Sequence, residues 1–463
     1  AGNNNTGNSN TAIGYQSMYS IAGGDSNTAV GYQSLNSNTT GGGNTAVGNL
    51  ALEKNTADDN TAVGNSSLKN NTTGTNNTAM GVNALITNTT GQSNVAIGSN
   101  ALQANNGKNN TAMGVNALYT NTTGEKNIAI GTDALYNNTD ASNNLAIGSN
   151  TLKNNTSGSY NLAVGNTALS LNTTGTNNTA VGWGCMSVGN TLSGAYTGSY
   201  NVGLGEQALY SNQSGNTNTA LGFAAMARNV SGSSNVAVGK FASYFVLGDK
   251  NVVVGESAMY GAGLGATGSQ NVAIGYEALH DISGGGSNVA IGTDALYSNT
   301  NGNNNVAIGV NALNHATGSF NTGVGKGALL GNSNGDNGDH NTAMGYQALY
   351  SNNGGDSNTS IGFQSMYNNK NAQGNTAVGY KSLNQNDHGN NNVAMGYEAL
   401  YLNEATGNVA MGVQSLYSNT DGSDNVAIGN SALYKNTDGS NNVAVGTQAL
   451  RNNTTGNFNT GVG

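Results

Sequence analysis

At 463 residues the chain is long enough for about three ordinary globular domains, yet 8% charged residues, 36% hydrophobic residues, 71 glycines and no proline do not describe an ordinary core. Roughly a fifth of the residues are asparagine, a balance that by itself suggests low-complexity disorder. The net charge of −9 is spread thinly and no run of Lys or Arg occurs, so the electrostatic footprint of a nucleic-acid binder is absent.

A strict repeat overturns the disordered reading. Asn-(Thr/Val)-Ala-(Val/Ile/Met)-Gly recurs 27 times, its last glycine at Gly14, Gly31, Gly48, Gly64 and onward to Gly463. Successive marker glycines lie 16 or 17 residues apart, except for 23 between Gly182 and Gly205 and 20 between Gly255 and Gly275 and between Gly325 and Gly345. That period is too short for two helices and fits one coil of a parallel β-solenoid, which buries an apolar row by stacking on its neighbours. We therefore expect an all-β solenoid of about 27 coils forming a single continuous domain over 1–463. At one strand spacing per coil it would be on the order of 130 Å long.

Each repeat opens on a three-residue strand. Its first and third residues are branched or long apolar residues or Thr (Thr11 and Ile13, Val95 and Ile97), and the middle one is small: Ala12, Ala29, Ala46, Ala96, Ala273, Ala444. Side chains alternate across a strand, so neither face is polar and both should be covered. The branched row is expected to fill the interior, and the alanine row to form a small outer face against another chain. The asparagine before each strand (Asn10, Asn27, Asn44, Asn94, Asn271, Asn442) is present in all 27 copies and is expected to form a structural ladder.

After the marker glycine, the third residue is small and the fourth is Leu or Met in every copy but one, where Ser243 stands. Asn-Thr-Thr-Gly segments at Asn38, Asn71, Asn88, Asn121 and Asn172 then read as corners, since Asn and Gly tolerate positive φ. Asn38, Asn71, Asn121 and Asn453 also satisfy the N-glycosylation rule. Proline is missing because a stacked coil needs its N–H groups.

The strand motif resembles the head repeats of trimeric autotransporter adhesins of the YadA-like type, most closely at Asn94–Gly98, Asn271–Gly275, Asn305–Gly309 and Asn425–Gly429. That resemblance spans essentially the whole chain and implies a left-handed β-roll with three chains packed side by side. The coil departs from the family in length, because segments such as Leu118-Tyr119-Thr120-Asn121-Thr122 add about three residues. Asn341 to Tyr350 is also similar to repeats of phage tail fibres and bacterial surface fibres. These resemblances imply a homotrimer located outside the cell, at a cell surface or on a virion tail. End-to-end filament formation and a host-surface, matrix or glycan receptor are the further partners such a fibre implies.

Chemistry is sparse. His280, His315, His340 and His388 are scattered, Cys185 is single, and the turn aspartates Asp58, Asp59, Asp336, Asp339, Asp421 and Asp424 do not recur from coil to coil, so no metal site, cofactor or catalytic group is expected. No signal peptide or membrane-spanning stretch is evident, and anchoring segments are expected outside this sequence. Tyrosine recurs after the Leu position and after the marker glycine, as a structural rib between chains or as a receptor platform, with the rib favoured. The long coils, Trp183 to Tyr200, Ser257 to Gln270 and Gly327 to His340, are where contacts could be added, with Trp183, Tyr196, Tyr200, Tyr260 and His340 as candidates. Trp183 would be a contact point if exposed and a plug in an irregular coil if buried, the latter being favoured. The leading expectation is a non-enzymatic structural and adhesive fibre. An ice-binding solenoid would need an outward threonine array, and a polysaccharide-cleaving spike would need paired carboxylates that only the irregular coils could supply.

Overall fold

A computed structural model of the protein describes residues 6–187, 195–331 and 338–463. The chain forms two compact units, Ala1–Ser233 and Ser234–Gly463. The first carries thirteen three-residue strands, from Thr11–Ile13 to Thr219–Leu221, and the second fourteen, from Val236–Val238 to Thr460–Val462. Within each unit successive strands pair in parallel and in register, Thr78 opposite Val95, Ala79 opposite Ala96 and Met80 opposite Ile97. This is a parallel β-solenoid of about 26 turns with no helix among the described residues.

Hydrogen bonds join coil to coil around the whole circuit. Thr78 N–H donates to Asn94 O at 2.8 Å, Leu85 N–H to Ala101 O at 3.0 Å and Thr87 N–H to Gln103 O at 3.1 Å, while Asn83 N–H reaches back to Asn65 O at 3.0 Å. The chain turns tightly enough to do this because three non-glycine residues per coil adopt left-handed backbone. In one coil these are Ser93 (φ 57°), Asn100 (φ 57°) and Leu102 (φ 52°). Each costs about 1 kcal/mol, which the ladder and the buried leucine offset.

The orientation of the strand is the reverse of that expected from the sequence. Ala29, Ala46, Ala96, Ala273 and Ala444 point into the coil and are fully buried within a single chain, and Ala12, in the first described coil, is half-buried. They are therefore core residues and no inter-chain face. The branched first and third residues point outward. The interior is too thin for two bulky rows: it holds the strand alanine, the small residue and the leucine, as with Ala96, Ala101 and Leu102, all with no exposed surface. Where the leucine side intrudes, the alanine shrinks: a Cβ on Gly203 would lie 2.7 Å from Cys185 Sγ and 3.0 Å from Met186 Cε of the preceding coil. By the same register Val253 falls beside Ser243, so the one missing leucine is matched by the one enlarged strand residue.

Candidate functional site: an outward aliphatic face flanked by aromatic ladders

The outward side of each strand presents two side chains separated by one inward alanine. The third-position row is aliphatic throughout and close to two-fifths exposed at Met80 (44%), Met344 (43%) and Ile428 (40%). The first-position row alternates Thr with Val, Ile and Leu, and Thr28, Thr45, Thr61 and Thr78 are half-buried while Thr11 is exposed. A one-sided strand should offer water a polar face, and this one offers an apolar stripe in each unit.

Aromatic residues stack beside that stripe because equivalent positions recur at one height per coil. After the marker glycine, Tyr346, Phe363, Tyr380 and Tyr397 form a continuous ladder with centroids 4.9–5.3 Å apart. After the leucine, Tyr244, Tyr260, His280 and Tyr297 form another at 4.9–5.2 Å, with Asp281 Oδ1 at 2.7 Å from His280 Nδ1. Phe320 stacks on His340 at 5.0 Å. These ribs form within one chain, and since the rings face each other they turn their edges, not their faces, to solvent. Partial burial, reinforced by neighbouring charges, raises the phenol pKa of Tyr297 and Tyr417 above its ordinary value.

The expected asparagine row is a ladder in which each side-chain oxygen accepts from the backbone of the next coil and in several copies from its amide too, as Asn27 Oδ1 does from Asn44 Nδ2 at 3.1 Å. Asn27 N–H donates to Asn10 Oδ1 at 2.8 Å, Asn44 N–H to Asn27 Oδ1 at 2.9 Å, and the same bond reaches Asn94, Asn271 and Asn442 from the coil before each at 2.9–3.0 Å. Its Nδ2 spans to the next corner, Asn27 Nδ2 donating to Gly41 O at 2.9 Å. A second row, read in the sequence only as corners, is also an amide-to-amide ladder. Asn121 Nδ2 donates to Asn105 Oδ1 at 2.6 Å and Asn138 Nδ2 to Asn121 Oδ1 at 2.7 Å, all three buried. The Asn38, Asn71 and Asn121 side chains are thus inside the coil, with their amide nitrogens engaged, and closed to glycosylation in the folded chain; Asn453 is half-buried.

The long coils separate the candidate contact residues. Trp183 is 52% exposed, so it is a surface residue and no plug, and Tyr200 is exposed as well. Tyr196 is the plug: fully buried, it takes the second-ladder position beside Asn172. Its Oη accepts from Asn201 Nδ2 at 2.9 Å and Asn212 Nδ2 at 3.3 Å, and burial drives its pKa up. With a tyrosine in the next ladder position, Asn172 Oδ1 is left buried without a partner. Cys185 is buried and donates to Gly203 O at 3.3 Å, with burial pushing its thiol up to about 12. Tyr260 and His340 lie in the stacks described above, and Asp336 and the middles of two long coils lie outside the described residues. Among the described residues no three His, Cys, Asp or Glu side chains are placed to hold a metal ion, and no helix is long and apolar enough to cross a membrane.

No protein-family model matches the chain, and no curated protein matches it in sequence.

Proposed function

We propose that the chain is a non-enzymatic structural and adhesive protein, the shaft or head of an extracellular fibre in which three left-handed coils lie side by side. The outward aliphatic row carries this reading. It repeats at one strand spacing of ~4.8 Å, so a partner that covers it coil after coil must share its period, and a second copy of the chain does. The resemblance to trimeric adhesin repeats supports three copies and a cell-surface setting.

Native mass measurement should give three times 46.4 kDa. Met80→Lys with Met344→Lys, which put a charge on the stripe of each unit, should lower that mass while the coil stays folded, since both side chains already face outward. A wild-type chain that runs as a folded monomer removes the trimer.

A second reading gains from the strand orientation. Thr11, Thr28, Thr45, Thr61 and Thr78 stand on five successive coils on the outer face, each with an aliphatic side chain two residues on. They share a face with the branched row, and that face is the outer one. A flat threonine-aliphatic lattice is what an ice-binding solenoid requires. The folded chain should then separate freezing from melting in a thermal-hysteresis assay at micromolar protein; coincident temperatures dispose of the idea.

A further inference from the structure

Trp183 stands at the mouth of a cavity of about 330 Å³ in the first unit. The cavity exists because Gly184 carries no side chain. Its backbone is left-handed (φ 61°), as at the equivalent residues of other coils, which are Gln16 (φ 52°), Gln33 (φ 50°) and Asn100 (φ 57°). A Cβ built on Gly184 would meet ring atoms of Tyr210 at 3.6–3.7 Å and Gln207 Cγ at 3.9 Å, ordinary contacts, so neither strain nor crowding demands glycine there. What its absence of side chain provides is space. Tyr210 of the next coil forms one wall, the Trp183 indole another, and Ser170, Ser187 and Thr167 supply hydroxyls. Ser170 Oγ and Ser187 Oγ share one hydrogen bond at 2.9 Å, which leaves acceptor capacity on both.

The same construction recurs in the second unit at another long coil. Gly327 (φ 63°) again stands where other coils carry a side chain, a Cβ built on it would again meet the following tyrosine, Tyr350, at 3.4–3.5 Å, and a cavity of about 90 Å³ opens beside it. There Lys326 takes the place of Trp183, so the smaller notch has a cation where the larger has an indole. Glycine and a following tyrosine thus make the notch, and the residue after the marker glycine sets its chemistry.

We propose that the Trp183–Gly184–Tyr210 notch is a carbohydrate-binding subsite that takes one pyranose ring. Among the described residues no charged side chain lines it, which disfavours phosphate, sulfate and ionised peptide ligands. Two aromatic walls with hydroxyls between them match a sugar, whose C–H face is apolar and whose rim is all hydroxyl. The volume admits a single ring with its first substituent. Unlike the stacked ribs, whose faces are occupied by each other, the half-exposed indole stacks on no aromatic ring among the described residues and so offers a face. The site is built from one chain and goes beyond the fibre reading without depending on it.

Trp183 is the single tryptophan of the chain, so its emission reports on this notch alone. Titration with methyl glucosides, galactosides, mannosides and N-acetylglucosaminides should give, for at least one of them, a saturable change in tryptophan fluorescence with a dissociation constant on the order of millimolar. Gly184→Gln, which restores the side chain that other coils carry at the same φ, should fill the notch and weaken binding at least tenfold while circular dichroism and melting stay unchanged. Trp183→Val, followed by saturation-transfer NMR, should abolish transfer to the sugar. A flat titration for every pyranoside, or undiminished binding by Gly184→Gln, overturns the proposal. Native mass is read separately, so failure of the subsite and failure of the trimer are distinguishable.

Discussion

Gly98→Ala should cost more than 4 kcal/mol and open the first unit locally. Gly98 sits at φ 129°, a region closed to side-chain-bearing residues, and a Cβ there would lie 2.6 Å from Gly114 O and 2.7 Å from Gly114 C. The obstacle is the backbone of the next coil, so no rotamer change relieves it. Separation of the two coils breaks the ladder between them at both ends of the strand, where Val95 N–H donates to Asn110 O and Gly114 N–H to Ile97 O, each at 2.8 Å. Because every coil rests on its neighbours alone, the damage should stay near the substitution. Native-state hydrogen exchange should show amides of the coils around 81–114 losing protection while those near Thr179–Val181 keep theirs. As a control, Gly23→Ala should change nothing, since a Cβ on that glycine meets no atom within 4 Å. Equal protection in Gly98→Ala and wild type would mean that the coils do not touch as described.

The strand positions, the spacing of the coils and the first asparagine row were all legible in the sequence, because each is a periodic signal that stacking multiplies 27 times. The direction of the strand was not. Alternation says that Ala96 and its neighbours Val95 and Ile97 face opposite ways, but it cannot say which way is inward when the alternative to a polar face is a second apolar one. The signal that decides it lies between coils: Ser243 is the one missing leucine, and Val253, one coil on, is the one strand centre larger than alanine or serine. Two irregular residues that compensate in volume must share a space, and that space is the interior. The leucine backbone was also hidden, since Leu102 at φ 52° breaks a rule that local propensity enforces and only stacking overrides. Of the candidate contacts, Trp183 and Tyr196 exchanged roles. An insertion disturbs the register of the coil that carries it, and which aromatic fills the vacated ladder site depends on backbone path, which composition does not encode.

Asn121→Ala should destabilise the coil that carries it by about 3 kcal/mol. Three hydrogen bonds are lost at once: Asn121 Nδ2 to Asn105 Oδ1 at 2.6 Å and to Gly124 O at 2.9 Å, and Asn138 Nδ2 to Asn121 Oδ1 at 2.7 Å. The position is fully buried, so water does not replace them. All three partners keep a second bond, Asn138 Nδ2 to Ala141 O at 3.0 Å, Asn105 Oδ1 from Asn110 Nδ2 at 3.2 Å and Gly124 O from Asn110 Nδ2 at 2.8 Å, which sets an upper limit on the loss. In the second unit the same column is apolar over three successive coils, Val246, Ala266 and Ile282, all buried, and Val246 pairs with Ala266. A run of apolar residues breaks the amide chain only at its two ends, whereas one apolar residue inside the chain strands an amide on each side. Asn121→Ala and Asn138→Ala together should therefore cost about 1 kcal/mol less than the sum of the two alone, the bond between them being counted once. Hydrogen exchange of the amides between Asn105 and Asn155 reads each variant locally, and strict additivity would show that the column acts as separate corner bonds and not as a connected ladder.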